Sequence, residues 1–119
     1  MKLKDLEGQL LKRHEDGSMS FVDTVAEADG VMFLCPKCFE KNQNSNVGVH
    51  NVICWFAGKV ADNVNPGPGR WVPQGTTLED LTFISTKEHP KRSVFLNAQH
   101  NGKPVGCQWH GFVTNGDAK

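Results

Sequence analysis

The sequence predicts a small β-rich α+β domain. It should consist of antiparallel strands and hairpins with one or two short helices, clamped by a pair of zinc knuckles. Three observations predict this. The runs VMFLC at 31–35 and VGVHNVICWF at 47–56 are short, apolar and rich in strand formers. Asn101-Gly102, a pair that tolerates the positive φ angles of a tight turn, separates SVFLNAQH from KPVGCQWHGFV. Cys35-x-x-Cys38 and Cys107-x-x-His110 have the spacing of metal knuckles, with 68 residues between the pairs.

Along the chain, residues 1–30 read as an N-terminal extension, weakly structured or a short helix. Leu3, Leu6, Leu10 and Leu11 are at roughly helical spacing, interrupted by Gly8. VDTVAEADG at 22–30 has the makings of one or two helical turns, capped by Asp23 or Thr24 and ended by Gly30. Residues 31–119 form the zinc-stabilised β-rich domain. VMFLC delivers the first cysteine pair at the end of a strand. In the longest strand candidate, Val47, Val49, Asn51, Ile53 and Trp55 share one face, and His50, Val52, Cys54 and Phe56 the other. NPGPGRWVPQG at 65–75 is loop, stiffened by Pro66, Pro68 and Pro73. TTLEDL at 76–81 is a short capped helical turn, and the two runs flanking Asn101-Gly102 pair antiparallel.

At 119 residues the chain is one domain, long enough to bury a modest core without disulfides. Thirteen basic and thirteen acidic residues cancel, so net charge does not indicate nucleic acid as a partner. Residues 1–30 carry four Lys/Arg against seven Asp/Glu, and 31–119 carry nine against six, a tilt too small to decide a function. The N-terminus lacks the apolar run of a signal peptide and no segment approaches bilayer length, so the expectation is a cytoplasmic protein without a membrane partner. Thiols stay reduced there, and closely spaced cysteines are better read as metal ligands than as disulfides.

Zinc takes four soft or borderline ligands in a tetrahedron, and a Cys-x-x-Cys turn supplies two from one tight loop. The expected ligands are Cys35, Cys38, Cys107 and His110. Closing a loop of about 70 residues costs on the order of 4 kcal/mol. A structural zinc site returns roughly 10–16 kcal/mol, so the metal outweighs the closure. A redox dithiol is the competing reading of CPKC, but thioredoxin-like motifs open a helix within a βαβ pattern, which is missing here. Cys54, between Ile53 and Trp55, is expected to be an inert buried thiol. His50 could replace one ligand or sit beside the metal, although a hydrogen-bonded histidine is the commoner outcome.

The ordered segments GVMFLCPKCF, HNVICWF, PGPGRW, LEDLTF, SVFL and GCQWHGFVTNGD resemble a family of small phage and prophage proteins of unknown function, often labelled "ammonia monooxygenase". The resemblance runs from about Gly30 to Asp117. The CxxC and GCxxHxF elements are also similar to a shorter uncharacterised bacterial domain found near ubiquitin-like conjugation genes. The resemblance implies a zinc-bound phage-type domain, in the host cytoplasm, with no established activity. The oxygenase label does not fit, since a membrane-bound copper oxygenase needs transmembrane helices.

An enzyme would need an open metal position or an activated nucleophile. Neither HExxH nor the H-x-E of zinc deaminases is present. Four positions separate His50 from Cys54, roughly 13 Å along a strand, too far for a nucleophile–base pair. The function expected from sequence is therefore a non-catalytic binding module, with a protein partner. Arg70 and Trp71 on the stiff loop, with His50, are the candidate ligand-binding residues. The alternatives are a metal-dependent, hydrolase-like enzyme using His50 near the zinc, or a minor phage structural or assembly protein.

Overall fold

The computed structural model describes residues 1–67 and 69–119. Four strands, β1 (Gln9–Arg13), β2 (Met19–Val22), β3 (Gly30–Leu34) and β4 (Asn51–Trp55), form a sheet in the order β2-β1-β3-β4. Every neighbouring pair in it is antiparallel. The register places Leu10 beside Val31, Val31 beside Cys54, and Phe33 beside Val52, so these side chains share one face. That face is the main core, where all five are buried. The alternate positions turn Leu11 and Trp55 to the other face, where they pack with Val60 in a second, smaller cluster. A strand buried on both faces needs consecutive apolar residues, which explains the unbroken runs at 10–11 and 31–34.

Gly30 opens β3 rather than ending a helix. A Cβ there would lie 2.6 Å from the Trp55 ring, so only glycine lets the indole lie across this end of the sheet. The preceding segment forms turns instead of a helix, with the Thr24 hydroxyl accepting from the Glu27 amide at 3.3 Å.

The N-terminal thirty residues are not an appendage, contrary to the sequence expectation. They supply two of the four strands, and Leu3, Leu6, Leu10 and Leu11 are all buried. The apparent helical spacing of these leucines spans two elements: a 3₁₀ turn at Leu3–Leu6, then β1 beyond a left-handed residue at Glu7, φ 54°. The Met1 amino group donates to the Ala118 carbonyl at 2.9 Å, and the Leu3 amide to the Gly116 carbonyl at 2.8 Å, which ties the two chain ends together.

The remainder is a set of short antiparallel pairs. β5 (Val72–Gln74) pairs with β6 (Thr82–Ile84) across a 3₁₀ turn at Leu78–Asp80. Thr77 and Asp80 form the capping box expected there. β7 (Val94–Phe95) pairs with β10 (His110–Gly111), and β11 (Val113–Thr114) with β12 (Asp117–Ala118). Between β7 and β10, β8 (Gln99–His100) pairs with β9 (Lys103–Pro104), turning on Asn101 at φ 52° and Gly102 at φ 75°. The predicted β-rich architecture of antiparallel strands and hairpins is thus the one observed. No helix among the described residues is long and apolar enough to cross a membrane.

Candidate metal centre

Three separate segments deliver four donor side chains to one place. The first begins where β3 gives way to the helix α1 (Pro36–Lys41), with Cys35 at its N-cap. Pro36 suits the first helical position, where no amide partner is needed and φ is already set. One turn then carries Cys38 to the side of Cys35. The Cys35 sulfur accepts from the Cys38 amide, the backbone contact that shapes a metal knuckle.

The second segment is placed by strand register. β3 and β4 pair Leu34 with Asn51. One step further along the ladder, the Cys35 amide donates to the His50 carbonyl at 3.0 Å, which sets His50 directly across from Cys35. The third segment is the C-terminal hairpin. A left-handed Gln108, φ 55°, turns the chain between Cys107 and Trp109, and the Trp109 amide donates to the Cys107 sulfur. Lys37 Nζ donates to the Cys107 carbonyl at 2.6 Å, fastening α1 to this hairpin.

The donor atoms of Cys35, Cys38, His50 and Cys107 lie within 4.8 Å of one another. Cys35 Sγ is 3.5 Å from Cys107 Sγ, and Cys107 Sγ is 3.4 Å from His50 Nε2. A tetrahedral site with ordinary metal–sulfur and metal–nitrogen bonds has edges of about 3.8 Å between sulfurs and about 3.6 Å from sulfur to nitrogen. The residues therefore fit a metal ion. All four cysteines are free thiols. The Cys-x-x-Cys does open a helix, but the strands flanking it are antiparallel, not the parallel pair of a thioredoxin-like redox unit.

Burial pushes the Cys35 thiol up to about 12, and burial also raises Cys38. Burial opposes ionisation at Cys107 as well, but the Trp109 amide, the His50 ring and the two neighbouring thiols together draw it down to about 7. One thiolate is thus ready near neutrality, and a cation must displace protons from the other two sulfurs. With the Cys107 pKa depressed, its proton is already lost above pH 7 and must also be displaced below it. From the thiols alone, metal uptake by the cold, folded chain should release about two protons above pH 7 and about three below. Apparent affinity should then rise about 100-fold per pH unit above pH 7, and more steeply below it. Chelator competition across that range measures the slope. A slope with no break near pH 7 would mean that Cys107 is not selectively ionised.

The structure departs from the sequence expectation at the fourth ligand. His110 is exposed on β10, opposite Phe95, and its ring stacks on the Phe95 ring at 4.9 Å. The cause is strand alternation. Trp109 takes the inward position, edge-on to Phe33 at 6.0 Å, so the next residue must point outward. His50 stands in its place. The signal for it was available in the β3–β4 register, which puts positions 35 and 50 opposite each other; spacing along one strand does not reveal that. Cys54 is fully buried outside the cluster, and burial pushes its thiol up.

No protein-family model matches this chain, and no curated protein or solved structure is significantly similar to it. The donor geometry is the observation on which a functional reading has to rest.

The stiff loop expected to present Arg70 and Trp71 is arranged otherwise. Arg70 is buried, 7% exposed, and its guanidinium donates to the carbonyls of Val60, Ala61, Val64, Pro66 and Gly69. It is the internal brace of the loop, with no donor left for a ligand. Trp71 is half-buried, stacked on Phe83 at 5.8 Å, with its indole N–H on the Ser93 carbonyl at 3.1 Å. One side of it lines a cavity of about 610 Å³, shared with Ile53, Pro66 and Leu96. Pro68, the middle proline of this loop, lies outside the described residues.

Proposed function

We propose that this chain is a non-catalytic binding module whose fold is locked by one structural zinc ion on Cys35, Cys38, His50 and Cys107. The observation that carries the reading is the convergence of four donors within 4.8 Å from three segments far apart in sequence. Three sulfurs and one nitrogen are the donor set of a structural zinc site, whereas catalytic zinc keeps one position for water. With His50 as a ligand, the chain itself supplies all four positions. Three thiolates around a divalent cation leave one net negative charge, and the Lys37 ammonium lies beside Cys107 to offset it.

Elemental analysis of the purified protein tests this. One zinc per chain is expected, lost in His50→Ala and retained in His110→Ala. Retention in His50→Ala together with loss in His110→Ala would restore the ligand set expected from sequence and overturn this one.

A further inference from the structure

We propose that the face of the β7–β10 hairpin carrying Phe95, His110, Phe112 and Arg92 binds single-stranded nucleic acid, with unpaired bases stacking on the rings and phosphates meeting the cations. The inference rests on the binding-module reading and names the surface and the partner class.

Three aromatic rings form a continuous ladder there. The cross-strand pairing of His110 with Phe95 brings their rings to 4.9 Å at 30°. Phe112, two residues on, lies 6.3 Å from His110 at 34°. The Arg92 guanidinium sits over the Phe112 ring at 4.7 Å. The ladder faces solvent: Phe95 is 42% exposed, Phe112 is 41% exposed, and His110 is exposed between them. A folded chain that hides its other phenylalanines, apart from Phe21 on the edge strand β2 and Phe39 against the core, leaves these two next to one another. The rings also stand on a firm backbone. Phe112 exchanges two hydrogen bonds with Lys119, at 2.8 and 3.0 Å. Gly111, where a Cβ would lie 2.7 Å from the Lys119 carbonyl, permits that close approach.

Charge selects the partner. The chain is neutral overall, yet between Glu88 and Asp117 there is no acidic residue at all, while Lys91, Arg92 and Lys103 fall in that stretch with three histidines. Among the described residues Arg92 has no carboxylate partner, and Asp117 is engaged by the Met1 amino group. Arg92 is thus an exposed cation without a carboxylate partner at one end of the ring ladder, with Lys91 next to it in the chain. Exposed rings offer base-sized stacking platforms, and arginine adds cation–π and phosphate contacts, the combination that holds single strands without reading sequence. A duplex hides its base faces and cannot use the ladder. An acidic peptide would answer the charge and leave the π faces unused.

Fluorescence anisotropy with labelled oligo(dT) and oligo(A) RNA of about 12 nucleotides, at about 50 mM salt, tests the proposal on the full zinc-loaded chain. The two strands separate DNA from RNA as the source of the bases. Micromolar binding is expected to at least one of them, weaker to a duplex of equal length. Phe95→Ala and Phe112→Ala should each weaken it about tenfold. Arg92→Gln should weaken it and flatten the plot of log affinity against log salt by about 0.7. Arg92→Gln also keeps the test decisive if a phenylalanine variant does not fold. No binding up to about 100 µM protein overturns the proposal. So do equal affinity for duplex, a preference for an acidic peptide, or an unchanged affinity and salt slope in Arg92→Gln. Zinc content, read on the same samples, separates failure of this proposal from failure of the metal site.

Discussion

Removing the metal with a strong chelator is expected to lower the melting temperature by about 20 °C or more, while the chain stays folded in the cold. A metal held by Cys35, Cys38, His50 and Cys107 would join the end of β3, the residue before β4, and the C-terminal hairpin. The strand pairs of that hairpin, β7 with β10 and β8 with β9, are only two residues long, and outside the donor cluster it is the Lys37 bond to the Cys107 carbonyl that ties the 99–107 stretch to the rest of the fold. Such ladders are marginal by themselves, so without the ion the 99–107 stretch should open first and become the earliest site of proteolysis. The four-stranded sheet has cores on both faces and should outlast it. Cys35→Ser should reproduce the loss, because the substituted thiol is fully buried at the junction. Cys54→Ala is the matched control: it truncates an equally buried thiol outside the cluster and should keep the zinc, at an ordinary core cost of about 1–2 kcal/mol. Thermal melts with and without chelator, run on these three proteins, measure the effect. An unchanged melting temperature on chelation would reject a structural metal.

Arg70→Ala should destabilise the fold by about 3–5 kcal/mol without touching the metal site. The guanidinium satisfies five carbonyls of the 60–69 loop, and each bond to a charged donor contributes about 1.5–3 kcal/mol when its acceptor is buried. Much of that loop is solvent-exposed, so water recovers part of the loss, which keeps the total below the simple sum. Val60, the acceptor nearest the core, belongs to the second cluster with Leu11 and Trp55, and the Trp55 indole N–H is bonded to the Asn65 carbonyl at 2.9 Å. Disorder in the loop should therefore reach the outer face of the sheet. Arg70→Lys should recover little, since an ammonium on a flexible stem cannot address carbonyls from five residues as the planar fork does. Denaturant melts with zinc assays check both statements. A loss below about 1 kcal/mol in Arg70→Ala would mean that the loop holds its shape without the brace.

The two effects show where local reading succeeds. Strand content, the Asn101-Gly102 turn, the capped turn at Thr77–Asp80 and the convergence of Cys35, Cys38 and Cys107 were all legible. Each depends on residues a few positions apart, or on a knuckle whose chemistry is the same in any fold. The N-terminal thirty residues were misjudged because Leu3, Leu6, Leu10 and Leu11 carry no sign of the strands they pair with. Their burial depends on partners at Gly116 and along β3. Arg70 was expected in solvent on average behaviour; a loop that wraps its own arginine depends on backbone carbonyls, which sequence does not display.

By itself, then, the sequence determined a β-rich chain with three cysteines able to share a cation and two histidines, His50 and His110, able to complete the set. Only the tertiary structure decided between His50 and His110. Strand alternation settles it at one end, where Trp109 must point inward against Phe33 and so turns His110 out. Register settles it at the other, because pairing Leu34 with Asn51 puts His50 across from Cys35. Both are long-range packing choices, made by the burial of large apolar side chains, and a ligand spacing counted along the chain contains no information about them.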